Sequence, residues 1–162
     1  MSKLGIAIVG TGMIGAVHRR AALLAGAEVR GVAASSPQRA QEVAQAWNVA
    51  HAYRDIEEVV SDPQVQVVHV CTPNHLHRAM AQAALEAGKH VICEKPLATT
   101  LDDAQALAAL AARTGLVATV PFVYRYHPVV REARARIAQG ELGPLHLIHG
   151  SYLQDWLLDP AS

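Results

Sequence analysis

The chain has 162 residues, 51% hydrophobic and 17% charged, with 14 Lys and Arg against 14 Asp and Glu and a formal net charge of zero. That length supports one ordinary core, the apolar share excludes global disorder, and the balanced charge leaves no electrostatic case for nucleic acid. No charged segment followed by a short apolar run opens the chain, and no apolar run is long enough to span a bilayer, so the expectation is a cytoplasmic protein without a membrane partner.

An apolar strand, Gly5 to Val9, comes first and runs directly into Gly10-Thr11-Gly12-Met13-Ile14-Gly15. A helix from Met13 to Ala25 follows, stopped by Gly26, and then a strand from Glu28 to Ala34. Ser36 is the predicted N-cap of a helix that opens on Pro37 and ends near Trp47. A short strand from Ala50 to Tyr53 leads to Asp55, the cap of a brief helix from Ile56 to Ser61. Val65 to Cys71 is β-branched on both faces, as a central parallel strand requires. A helix from His75 to Ala87, with Asn74 as its cap, ends at Gly88. The strand His90 to Cys93, the helix Leu101 to Arg113 and the strand Leu116 to Phe122 complete the alternation.

Six strands with intervening helices predict an α/β fold, a doubly wound parallel sheet of the Rossmann type, with the chemistry at the carboxyl ends of the strands. The glycine motif gives that edge a purpose. Gly10 permits a tight turn, Gly12 lets the backbone approach a pyrophosphate, and Gly15 lets helix and strand pack closely. The diphosphate is then met by the positive end of the helix dipole. The other loops on this edge are Ala34 to Ser36, Thr72 to His77, Glu94 to Leu97 and Val123 to Arg125. Cys71 and Cys93, the only cysteines, each close a predicted strand. They read as buried thiols, a disulfide between neighbouring strands being the alternative. His75 and His77 have no Cys or carboxylate at ligand spacing, so no metal is expected.

Past Phe122 the pattern changes. Pro128 to Gln139 reads as a helix with Arg131, Arg134 and Arg136 on a solvated face, and Leu145 to Gln154 as a strand followed by the apolar Trp156, Leu157 and Leu158. A lone helix and strand do not make a domain. The domain reading is therefore 1–122 for dinucleotide binding and 123–162 for the beginning of a second, substrate and oligomerisation domain whose remainder is absent. The unpaired strand would leave exposed backbone groups and a surface for self-association.

Four segments in order make the chain similar to the Gfo/Idh/MocA family (glucose-fructose oxidoreductase, inositol dehydrogenase and rhizopine catabolism). They are Gly10–Gly15, Cys71-Thr72-Pro73-Asn74-His75-Leu76-His77, Gly88–Leu97 with its Glu94-Lys95-Pro96, and Tyr124-Arg125-Tyr126-His127-Pro128. The resemblance implies NAD(P)-dependent oxidation or reduction at the hydroxyl carbon of a sugar, polyol or related compound, in a homo-oligomer. It implies Lys95 as the catalytic residue at the substrate hydroxyl. The implied cofactor set is Gly10, Thr11, Gly12, Met13, Ile14, Cys71, Thr72, Pro73, Asn74, His77, Glu94, Lys95 and Arg125. Tyr124 has packing as an equal account, and Asn74 its predicted cap. Lys95 is the one lysine of three on this edge, and a cation there suits a developing alkoxide. In the family an acid and a histidine from the second domain complete the proton-transfer apparatus, and Asp155 and Asp159 do not fit that pattern. The second strand ends without the acid that pairs with a ribose in NAD-specific folds; Ser35, Ser36 and Arg39 suit a 2′-phosphate instead, which tips the cofactor toward NADP over NAD. A non-catalytic dinucleotide-binding module acting through protein contacts is the alternative function.

Overall fold

A computed structural model describes residues 3–153. Gly5–Val9 forms β1, buried throughout. Its alternate residues serve two cores, Ala7 and Val9 on one face and Ile6 and Ile8 on the other. Met13–Leu24 is α1, Glu28–Ala33 β2, Pro37–Trp47 α2, His51–Tyr53 β3 and Ile56–Ser61 α3. Val67–Val70 is β4, His77–Glu86 α4, His90–Cys93 β5, Leu101–Thr114 α5 and Ala118–Thr119 β6. The strands form one sheet in the order β3-β2-β1-β4-β5-β6, every pair parallel. Ala22 of α1 and Val43 and Ala44 of α2 join the core on one face. Val59 of α3, Ala81, Ala84 and Leu85 of α4 and Leu107 of α5 join the core on the other. The sheet is doubly wound as expected. Strand order reverses between β1 and β4, which opens a crevice at their carboxyl ends.

Local chemistry sets the helix starts. Ser36 Oγ accepts from Arg39 N (3.1 Å) with Pro37 at the first helical position, and Asp55 Oδ1 accepts from Glu58 N (2.9 Å). Asn74 is not a cap. Asn74–Leu76 is a 3₁₀ turn closed by Leu76 N on the Pro73 carbonyl, and α4 begins only at His77, with no side-chain cap. The tighter turn displaces the helix start past the reach of the Asn74 side chain. The last strand is two residues long instead of seven: β6 is an edge strand that pairs only with Val91 and Ile92 of β5, and Pro121 has no N–H to extend a ladder.

The chain divides into two units, Met1–Pro121 and Phe122–Ser162. In the second, Val123–Tyr126 is a 3₁₀ turn and Pro128–Ala138 is α6, with Arg131, Arg134 and Arg136 exposed. The expected strand from Leu145 is not formed: residues 145–153 have no regular structure, and Leu147, Ile148 and Leu153 are exposed. Hydrogen-bonded strand structure needs a neighbour, and none runs beside this segment among the described residues. Gln154, Asp155, Trp156, Leu157, Leu158 and Asp159 lie outside the described residues. No helix among the described residues is long and apolar enough to cross a membrane.

Gly10 has φ +97°, and a Cβ on it would sit 2.4 Å from the Cys71 carbonyl group. Gly10→Ala is therefore expected to lower unfolding free energy by roughly 2–4 kcal/mol, the sum of left-handed strain and a backbone clash. Urea unfolding of the parent and variant measures it.

Candidate functional site

The glycine turn is assembled by close backbone contacts. Gly10 N donates to the Ala33 carbonyl of β2 (2.9 Å), and a Cβ on Gly15 would lie 2.2 Å from the Gly10 oxygen. Gly12 is the N-cap of α1 and offers no side chain to its free N–H groups. Among the described residues nothing lies within 4 Å of where a Gly12 Cβ would be, so that side of the turn is open to a ligand. An uncapped helix start beside open space is suited to an anion.

A cleft of about 560 Å³ opens beside the turn. Gly10, Thr11 and Gly12 line it with Ser35 from the loop after β2, Arg39 from the first turn of α2, and Cys71, Thr72 and Pro73 from the end of β4. Thr72 Oγ1 is buried and makes no hydrogen bond among the described residues, a polar atom left for a ligand to satisfy. The open turn, the bare helix start and this orphan hydroxyl fit a dinucleotide. Met13 is exposed, Ile14 packs inward against the core, and Asn74 stands exposed on the 3₁₀ turn after Pro73. Ser36 is exposed but its hydroxyl is occupied as a cap; Arg39 Nη1 pairs with Glu42 Oε2 (3.0 Å) at the surface. Arg125 belongs to the second unit, on its 3₁₀ turn, and Tyr124 there shares a hydroxyl–hydroxyl hydrogen bond of 2.8 Å with Tyr152. Cleft residues that motif reading passed over include Asp55, Ile56 and Met80. Asp55 carried a sequence signal only as a cap, which it also is.

Lys95 follows β5 and is exposed, and its ammonium takes part in none of the hydrogen bonds or ion pairs among the described residues. Glu94 and His77 stand behind this edge rather than on it. Glu94 is 7% exposed and His77 is fully buried, with Nδ1 2.7 Å from the Pro96 carbonyl oxygen and Nε2 2.9 Å from that of Thr72. His18 of α1 donates from Nε2 to Glu94 Oε1 (2.9 Å), and its Nδ1 lies 3.1 Å from His69 Nδ1 of β4. No motif marks His18. It stands three residues after Gly15 and four before Ala22, the other buried positions of α1, a helical spacing that marks an inward face. Cys71 and Cys93 are free, buried thiols; burial, with the nearby Glu94 carboxylate, raises both, Cys93 to about 12. They are inert as nucleophiles at neutral pH. Among the described residues no group of three or more His, Cys, Asp or Glu converges as metal ligands.

The family model described as an oxidoreductase family with an NAD-binding Rossmann fold matches residues 4–122. Levoglucosan dehydrogenase of Pseudarthrobacter phenanthrenivorans is 37% identical over 171 residues, which cover 100% of this chain and 44% of that protein. The 1,5-anhydro-D-fructose reductase of Ensifer adhaerens is 38% identical over 141 residues, 83% of this chain and 42% of the reductase. A solved structure of levoglucosan dehydrogenase in complex with NADH and levoglucosan matches with a TM-score of 0.90 at 37% identity, over 99% of this chain and 46% of that one. The chain thus spans less than half the length of these relatives.

His69 supplies a test of the buried network. Burial, and then the adjacent His18, pushes it down from 6.5 to about 4. The unfolded chain then binds the extra proton between those two values while the fold does not, so stability is complete above pH 6.5 and falls as pH drops toward 4. Urea unfolding at several pH values is expected to show His69→Val losing less stability across this window than the parent, by up to about 3 kcal/mol.

Proposed function

The chain belongs to the oxidoreductase family with the NAD-binding Rossmann fold, and from that membership we propose that it is the cofactor-binding part of a dehydrogenase acting on a sugar, polyol or related hydroxyl compound. The observation that carries the reading is the open glycine turn beside a cleft with an unsatisfied Thr72 hydroxyl, on the edge where the unpaired Lys95 emerges. A nicotinamide dinucleotide supplies hydride transfer when bound. The residues that would hold it are Gly10, Thr11, Gly12, Met13 and Ile14 at the pyrophosphate, Ser35, Ser36 and Arg39 at the adenosine end, and Cys71, Thr72, Pro73 and Asn74 along the cleft. Glu94 and His77 support this wall from behind. Lys95 places a positive charge where a substrate hydroxyl loses or regains its proton, and that charge stabilises the alkoxide. Arg125 and the rest of 123–162 begin the domain that carries substrate walls and the homo-oligomer face, a reading supported by the chain's covering under half of its relatives.

We read the adenosine end as preferring NADP. No acid ends β2, and the Arg39–Glu42 pair is a surface i,i+3 pair worth a few tenths of a kcal/mol, too little to withhold Arg39 from a phosphate. Asp55 lies in the same cleft and is held by Glu58 N. Fluorescence titration is expected to give a Kd for NADPH lower than that for NADH by about tenfold, the ratio one charge-assisted hydrogen bond supplies. Arg39→Ala should erase the difference. A preference for NADH in the parent would transfer the role to a carboxylate, with Asp55 the one at hand.

Two substitutions test the rest. Gly12→Val is expected to abolish binding of either dinucleotide while leaving the fold intact, because the space it fills is a ligand's and not the protein's. In a full-length version of the protein, Lys95→Ala is expected to keep dinucleotide affinity and to lower turnover on a panel of sugars and polyols by about 10²–10⁴-fold. Undiminished turnover in that variant would remove Lys95 from the mechanism.

A further inference from the structure

The buried polar and charged side chains of the first unit are His18, His69, His77 and Glu94, exposed by only 7%, 4%, 0% and 7%. A buried carboxylate is costly unless it is paired and hydrogen-bonded, and even a good buried pair adds little net stability. Their presence in a core built mostly from Val, Ile, Leu and Ala calls for a positional reason.

The bonds converge on the two residues that flank Lys95. Before it, Glu94 accepts from His18 Nε2 at Oε1 (2.9 Å) and from the Lys95 backbone N–H at Oε2 (3.1 Å), while its own N–H donates to the Val70 carbonyl of β4 (2.9 Å). After it, the Pro96 carbonyl oxygen lies 2.7 Å from His77 Nδ1, and the opposite ring nitrogen of His77 reaches the Thr72 carbonyl (2.9 Å). The loop is tied on one side to α1, six residues from Gly12, and on the other to α4 and the cleft residue Thr72. Between them only the Lys95 side chain is left exposed and, among the described residues, without a hydrogen bond or ion pair.

We propose that His18 and His77 are positioning residues for Lys95: two buried imidazoles that pin residues 94 and 96, so that the lysine is presented from a fixed backbone registered to the glycine turn and to the Thr72 wall. This rests on Lys95 being the residue that meets the substrate hydroxyl, but its test does not require turnover. His69 backs His18 and keeps its ring from rotating away from Glu94.

The chain has only three lysines, Lys3, Lys89 and Lys95. Lys89 donates to the Asp62 and Val65 carbonyls, both at 2.8 Å, and serves as an internal standard. The intact chain is treated with a small amine-acylating ester and each lysine is followed by mass spectrometry. His18→Met frees the Glu94 carboxylate to pair with the neighbouring ammonium, and an ion-paired amine is a slower nucleophile. Lys95 acylation is expected to slow by about threefold or more, the scale of a partly exposed ion pair, with Lys89 unchanged. His18→Gln, which retains a donor for Glu94, should restore the rate. In His77→Leu, and in the milder His77→Asn should the first not fold, amide deuterium exchange over residues 94–99 should quicken by about tenfold, the loss of one hydrogen bond, with β1 exchange unaltered. Folded His18→Met and His77 variants with parental Lys95 reactivity and parental loop exchange would overturn the proposal. If Lys95 reactivity follows His18 and loop exchange follows His77 as expected, and Lys95→Ala still turns over normally, the pinning stands and the catalytic assignment fails.

Discussion

Backbone meets backbone where β1 and β4 end, and the rest of this molecule depends on that contact. There is no room for a Cβ between Gly10 and Cys71, nor between Gly15 and the Gly10 carbonyl. Because the two strands lie side by side where strand order reverses, the helices that follow them leave on opposite faces of the sheet. The crevice between those departures is the cleft. Filling either contact with a methyl group would push α1 away from β1 or β1 away from β4, and both movements would dismantle the same wall. The turn is therefore a packing joint first; its open side at Gly12 is what the joint leaves over for a ligand.

Charge is distributed unevenly about that joint. The surface carries ordinary pairs such as Arg39–Glu42 and Arg136–Glu132, whose contribution to stability is small. The buried polar side chains lie on the side of Lys95. Helix α1 contributes at both ends of this arrangement, the turn at its start and His18 about one and a half turns in. A rigid helix is a shorter and stiffer link between a phosphate seat and a reacting group than any loop of the same length, which is what fixed geometry at an active site requires.

Much of this was legible in the residues. Alternation of β-branched runs with capped helices identified the strands of a doubly wound sheet, because each stretch satisfied propensity, period and punctuation together. Boundaries failed where tertiary context overrode local pattern. At Asn74 a good capping residue was bypassed by a 3₁₀ turn, and of Leu116 to Phe122 only Ala118 and Thr119 pair with β5. Leu145 to Leu153 has strand-like composition and no neighbour, so composition alone misled. Of the site, the glycine turn, the Thr72 loop and Lys95 are motif residues whose spacing is local. The His18–Glu94 pair joins residues 76 positions apart, and His18–His69 joins residues 51 apart; no periodicity reports such a contact. His77 was seen as part of a motif, but its role changed, since both of its nitrogens face backbone oxygens behind the cleft.

Imidazole is the side chain that this chain of contacts demands. Ionised, the Glu94 carboxylate only accepts, so His18 must donate from Nε2; its Nδ1 meets the Nδ1 of His69, and one proton must lie between them. His69, pushed down to about 4 by burial and by His18, is neutral at physiological pH and has a single proton to place. If that proton is on Nδ1 it is shared with His18; if it is on Nε2, His18 is the donor on both sides. Lysine or arginine in place of His18 would bring a fixed charge and no acceptor, and glutamine has no second nitrogen opposed to the first. In both arrangements the unsatisfied atom is the same one, His69 Nε2, buried and without a partner among the described residues. The cost of the His18–His69–Glu94 network is thus confined to its far end, while at the end that touches the Lys95 loop both Glu94 oxygens accept a hydrogen bond, from His18 and from the Lys95 N–H.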